Sequence, residues 1–268
     1  TIHDLLFLVL PEGGWQRVVI DRGDFNTEEA PQGWNAIRGI RVAFWKGQPR
    51  QGAIYLGGLE AIASDVVVVR NTRAGREVEP YTSGMASALA GAGVDAGTVD
   101  DLDVEAGVLA GKRIAIYPWN PAPSDKEMDS LEAFVKEGGR VLACYSLSPR
   151  FAALLGLESQ GYQRAEYAGQ FARMRLLPGG PPGMPEETRQ DSWNIEKVRP
   201  ATRGARVVAE WLDTSGADTG YPAVVVSDTG AHISHVLLSD DPVNRDRMLR
   251  ALLGHLYPEE EIRSGWKT

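Results

Sequence analysis

The sequence predicts an α/β protein: a doubly wound, mostly parallel sheet over residues 65–258, preceded by a smaller all-β unit over residues 1–64. Three observations carry this. Asp65-Val66-Val67-Val68-Val69-Arg70 is a continuous apolar run, as in a strand buried on both faces. Segments with helical signals then alternate with short apolar runs, the pattern of βαβ units with right-handed crossovers. Residues 1–64, by contrast, show no helical period at all. The length of 268 residues also fits two units better than one.

The first unit reads as short strands between turn residues. Ile2 to Leu10 is followed by the Pro11-Glu12-Gly13-Gly14 turn, Trp15 to Ile20, and a loop from Asp21 to Asn35. Ile37 to Trp45 and Ala53 to Ile62 complete it, rich in the aromatic and β-branched residues that suit a pleated, half-buried surface. Gly14 to Ile20, Gly23-Asp24-Phe25, Gly33-Trp34 through Val42, and Ala53 to Leu59 resemble the closing strands of a galactose-binding-like jelly roll. Such a module needs about eight strands. Four would leave an apolar face and open edges, so strands from a missing segment or another chain are expected to complete it, and the chain reads as an excised piece. Trp34 is the ligand candidate here, since an indole face can stack on a sugar ring. Trp15 and Trp45 share that chemistry but read as packing residues, and Asp21 and Asp24 lack calcium-loop spacing.

In the second unit a helix is expected near Glu77 to Ala92, then a strand near Val94 to Val99. Asp100, Asp101, Asp103 and Glu105 read as a solvated loop entering a helix N-terminus, where carboxylates are favoured. Arg113 to Pro118 is a strand. Ser124, with Glu127 three residues on, opens a helix that Gly138-Gly139 ends. Arg140 to Tyr145 is the next strand, and Ser148-Pro149 starts a short helix ending at Gly156. Strands return over Gly161 to Leu177, and Pro178 to Gly183 breaks the pattern. Arg206 to Asp213, Tyr221 to Asp228 and Ala231 to Leu238 form a meander, with Thr229-Gly230 as a turn tolerant of positive φ. A helix over Pro242 to Tyr257 and a charged tail, 259–268, close the chain.

Leu131 to Leu142, Phe151 to Gly156, and Tyr221 to Val226 leading into Ala231 to Leu238 are similar to the class I glutamine amidotransferase-like fold, a flavodoxin-like relative, and most of all to the trimerisation-type domain of β-galactosidases. An active member of that family needs a Gly-x-Cys-x-Gly bend and a His-x-Glu element. Here the text is Leu142-Ala143-Cys144-Tyr145-Ser146, without either glycine, and the following helix places Tyr145 nearest the bend. His232 and His235, 88 and 91 residues beyond Cys144, fall inside the expected last strand, and Ser239-Asp240-Asp241 ends it. The resemblance therefore implies an accessory, non-catalytic region of a larger carbohydrate-active protein, in an extracytoplasmic setting. Its partners would be a carbohydrate or a neighbouring catalytic domain. The rivals are a Cys-dependent hydrolase or amidotransferase using Cys144 with His232 or His235, and a free-standing glycan-binding protein.

An open parallel sheet binds ligands at the carboxyl ends of its strands. That edge would gather Asn71, Arg73, Trp119, Asn120, Tyr145, Ser146 and Asp240. No phosphate loop, zinc spacing or cofactor motif is present in the sequence, and the net charge of −8 with no basic cluster argues against nucleic acid. No apolar run approaches the roughly 20 residues that span a bilayer.

Overall fold

The computed structural model describes residues 2–4, 26–28 and 64–258. The chain divides into two units, Thr1–Ala63 and Ser64–Thr268. In the first, β1 (Ile2–Asp4) pairs antiparallel with β2 (Asn26–Glu28), His3 standing opposite Thr27. The sequence placed Asn26 to Glu28 in a loop. Its polar text carries no alternation to read, and backbone pairing with β1 makes it a strand. The other expected strands of that unit, with Trp15, Trp34, Trp45, Asp21 and Asp24, lie outside the described residues. So do the jelly-roll arrangement and the 259–268 tail.

The second unit opens with β3 (Val66–Arg70), a 3-10 stretch (Thr72–Val78), α1 (Glu79–Gly91), β4 (Ala96–Asp100) and α2 (Asp101–Glu105). Then come β5 (Ile114–Tyr117), α3 (Asp125–Lys136), β6 (Arg140–Cys144) and α4 (Pro149–Leu154). Strands β7 (Leu157–Arg164), β8 (Phe171–Leu176), β9 (Glu187–Ser192) and β10 (Asn194–Pro200) follow. The unit ends with β11 (Arg206–Leu212), β12 (Asp218–Val226), β13 (Gly230–Ile233) and α5 (Pro242–Leu256).

Nine of these strands make one sheet in the order β4-β3-β5-β6-β13-β12-β11-β8-β9, while β7 and β10 pair as a separate ribbon. The first five run parallel and the remainder join antiparallel, so β12 and β8 alone run against the common direction. The sheet is thus mixed, its outer half a meander. Strands β9 and β10 were not anticipated. In β9 the inward positions are Thr188, Gln190 and Ser192, so the period of two is present without apolar residues to announce it.

Alternation along the parallel strands builds two cores. Val66, Val68, Ile114, Ile116, Leu142, Cys144 and Ile233 face α1 and α5. Val67, Val69, Ala115, Tyr117, Val141 and Ala143 face α2, α3 and α4. Helices thus cover both faces, as a sheet buried on both sides requires.

The caps follow the sequence. Ser124 Oγ accepts from Glu127 N at 3.1 Å, Ser148 Oγ from Phe151 N at 3.2 Å, and Gly138 ends α3 at φ 101°. Gly230 is different, since it is absent from the positive-φ residues. A Cβ there would stand 2.1 Å from Val141 O, so β6 passes too close for any side chain. Backbone cannot yield as a side-chain tip can. Gly230→Ala is therefore expected to destabilise the fold by about 2–3 kcal/mol, read as a lower denaturation midpoint with unchanged m-value.

Candidate functional site

The strand β6 and helix α4 meet at Tyr145, and that bend is the natural place to look for chemistry. Tyr145 has φ 60°, the one non-glycine residue with positive φ among the described residues. A bulky residue held there stores strain of order 1–3 kcal/mol, which tertiary contacts must offset. Two bonds hold it: Tyr145 N donates to Ile233 O at 2.8 Å, and His232 Nε2 donates to Tyr145 O at 2.7 Å. The geometry of a nucleophile bend is thus present, carrying a phenol.

The thiol one residue earlier is turned away. Register pairs His232 with Ala143 and Ile233 with Cys144. Cys144 therefore points with Ile233 into the α1–α5 core, while His232 points to the opposite face. Burial pushes the Cys144 thiol up to about 12 and both imidazoles down to about 4. A protonated, buried thiol on the far face from its would-be base makes no nucleophile. His235, read from sequence as a strand residue, lies two positions past the end of β13 because that strand is shorter than expected. Its Nδ1 donates to Val236 O at 2.9 Å, and its ring stands 5.4 Å from that of Tyr145.

The residues expected at the carboxyl edge separate into three groups. Asn71, Arg73 and Asn120 are committed to structure. Asn71 Oδ1 accepts from Ala74 N at 3.2 Å, and Asn120 Nδ2 donates to Glu127 Oε1 at 2.9 Å. Arg73 sits among three carboxylates, 2.5 Å from Glu105, 3.4 Å from Asp101 and 3.8 Å from Glu127. Trp119, Tyr145 and Ser146 do come together at the bend, the first two with ring centres 6.3 Å apart and all three partly exposed. Asp240 goes elsewhere. Past Ile233 the chain leaves the parallel half of the sheet and runs beside β9, Gln190 Oε1 accepting from Leu238 N at 3.2 Å. Asp240 then lines a shallow groove of about 490 Å³ with Arg173, Arg189, Asp191 and Thr214. Trp34 lies outside the described residues.

Two features escaped the sequence. The acidic run is not a solvated loop: Asp101 is fully buried, accepting from Thr72 Oγ1 at 2.5 Å and Leu102 N at 2.9 Å. Arg73 is what permits this, by bringing a cation to the buried carboxylates. Glu127 is the second. Instead of closing a capping box it turns inward, and burial, then Asp101, raises its carboxyl to about 7. Its Oε2 is buried with the Tyr117 hydroxyl, which interacts with it. A titrating glutamate under a strand edge is a functional-site signal in general, but here the carboxylates are tied to Arg73. Among the described residues no group of three His, Cys, Asp or Glu is placed to hold a metal, and no helix is long and apolar enough to cross a membrane.

A mixed, mostly parallel sheet with helices on both faces, and a positive-φ bend between β6 and α4, are compatible with a flavodoxin-like fold. Solved structures share that fold. The β-galactosidase from Rahnella sp. R3 superposes with a TM-score of 0.57 at 18% identity, over 73% of this chain and 31% of that one. The α-L-fucosidase isoenzyme 2 of Paenibacillus thiaminolyticus gives 0.56 at 17%, over 74% and 33%. A ThuA-like protein from Bacteroides uniformis gives 0.54 at 12%, over 75% of this chain and 95% of its own. The chain thus spans about a third of the length of the glycosidases and nearly the whole of the ThuA-like protein. No family model and no curated protein matches the sequence.

Proposed function

We propose that this chain is a non-catalytic accessory region of a larger carbohydrate-active protein, its α/β unit a degenerate amidotransferase-like domain that supports assembly or shapes a neighbouring active site. The observation that carries this reading is the Tyr145 bend: the strained position is kept, but the thiol lies one residue away in the core and the imidazole is spent on a backbone carbonyl. Likeness to a minor part of two glycosidases supports the carbohydrate setting. In this reading the galactose-binding-like character of residues 1–64, a partner segment completing that unit, the β-galactosidase trimerisation type of the second unit and an extracytoplasmic location belong together. In this reading Trp119, Tyr145 and Ser146, which meet at the bend, are the ligand residues, while Asn71, Arg73 and Asn120 hold local structure through their own bonds.

The test is direct. The chain is incubated with glutamine, with aryl esters and with aryl galactosides and fucosides, beside a Cys144→Ala variant. No turnover above buffer is expected from either protein. Thiol-dependent turnover abolished in the variant would replace this reading with that of a hydrolase. In the encoded polypeptide, removal of residues 64–258 is expected to lower the oligomeric mass measured by light scattering or the kcat/KM of its glycosidase activity, and no change in either would refute the accessory role.

A further inference from the structure

Aromatic rings gather around the Tyr145 bend from four separate elements. Tyr81 of α1 meets Trp119 edge to face at 5.4 Å, and Trp119 lies 6.3 Å from Tyr145 at 40°. The Tyr145 phenol is pushed up to about 12, chiefly by burial, with Tyr162 and Glu196 of the β7–β10 ribbon adding to the rise. The ribbon is held there by a bond from Glu196 N to Ser234 O at 2.8 Å. Tyr162 in turn has Trp193 6.4 Å away, and these two rings are 53% and 62% exposed. Large rings left this open, in a group and away from either core, are the exception on a soluble surface.

The polar groups among them have hydrogen-bonding capacity to spare. The Trp119 indole N–H is buried with no acceptor. Glu196 is only 5% exposed, and its carboxylate takes one described hydrogen bond, from the Ser159 hydroxyl. A buried N–H without an acceptor costs free energy that a suitable ligand would recover, and the Glu196 carboxylate keeps capacity to accept further donors. A matching ligand therefore offers an acceptor to Trp119 and donors to Glu196, beside flat apolar faces.

Few ligands offer all three. A purely apolar molecule leaves the N–H unpaired, and an anion meets repulsion from Glu196. A pyranose carries hydroxyls that both donate and accept, and an apolar C–H face that stacks on an aromatic ring. We infer that the aromatic surface between the Tyr145 bend and the β7–β10 ribbon binds a neutral sugar unit, stacked on Trp119 and Tyr145 with its hydroxyls donating to Glu196. A groove of about 380 Å³ lined by Arg164, Glu166, Tyr167 and Trp193 adjoins the ribbon and gives a second unit of a short glycan room. The assignment rests on the carbohydrate-associated reading above and adds to it a site and a ligand class.

The experiment is a titration of the full chain with methyl β-D-galactopyranoside, methyl β-D-glucopyranoside and sodium sulfate, followed by tryptophan fluorescence and saturation-transfer NMR. Saturable binding of at least one glycoside in the millimolar range is expected, with no response to sulfate. Trp119→Ala and Glu196→Gln should each weaken it by about tenfold. Tyr162→Ala, on an open strand face where folding is not at stake, should weaken it by about threefold. Circular dichroism verifies the fold of every variant. A folded wild type without saturable glycoside binding, or binding indifferent to all three substitutions, would overturn the site. Those outcomes leave the accessory role standing, since that role fails on turnover or on unchanged assembly.

Discussion

Between pH 6.5 and 4 the protein is expected to lose stability steeply, and His232 is expected to account for about half of the histidine contribution. Both His232 and His235 are almost fully buried, and burial lowers each from 6.5 to about 4. In that window the unfolded chain binds protons that the folded chain refuses, so stability rises with pH and falls as acid is added. The linkage comes to about 3 kcal/mol for each ring when the window is crossed completely. Glu127 acts in the opposite sense. Its carboxyl, raised to about 7, holds a proton in the folded state that the unfolded chain releases above about 4.5. On the same descent it returns about 3 kcal/mol, leaving a net loss of about the same size.

Urea unfolding of the wild type, His232→Gln and Glu127→Gln at pH 7, 5.5 and 4.5 separates the two effects. His232→Gln keeps an N–H for the Tyr145 carbonyl but has nothing to titrate, so its acid limb should flatten. Glu127→Gln should steepen the same limb, since the compensating proton is gone. A wild-type unfolding free energy constant from pH 6.5 to 4.5 would refute both assignments.

Trp211→Ala is expected to cost about 3–5 kcal/mol, the largest loss from any single substitution considered. The indole is fully buried on β11, with its ring 5.8 Å from Phe171 and its N–H donating to Ser234 Oγ at 2.8 Å. Truncation opens a cavity and leaves the Ser234 hydroxyl short of a partner. Ser234 also receives Glu196 N and itself donates to Ala223 O, so the damage extends to the ribbon that faces the Tyr145 bend. Trp211→Phe, which keeps most of the volume, should cost clearly less. A denaturation midpoint within error of the wild type for Trp211→Ala would show that this part of the meander is not under tension with the core.

Much of the second unit was legible residue by residue. Four consecutive valines from Val66 to Val69 announced a strand buried on both faces, and they supply alternate residues to the two cores. Ser124 and Ser148 named their helix starts, because a hydroxyl before an apolar-periodic segment has one favoured use. The absence of glycines around Cys144 set its text apart from the family's bend, and strand register then turned the thiol into the core. Strand β9 was illegible, since Thr188, Gln190 and Ser192 are polar residues buried by their neighbours rather than by their own character. The fate of Asp240 was equally hidden, because it depends on where β13 stops and which strand the chain then follows.

What the amino-acid order determined alone is the alternation of buried strands and capped helices, for these rest on local preferences that neighbours in sequence decide. Only the tertiary structure decided that Tyr145 takes a positive φ, that Cys144 and His232 face opposite sides of the sheet, and that Arg73 draws Asp101 and Glu127 inward. It alone brought Trp119 beside Tyr145 and Glu196 beside Ser234. Each of those depends on strand register or on contact between segments far apart in the chain, and neither is written in any short stretch of residues.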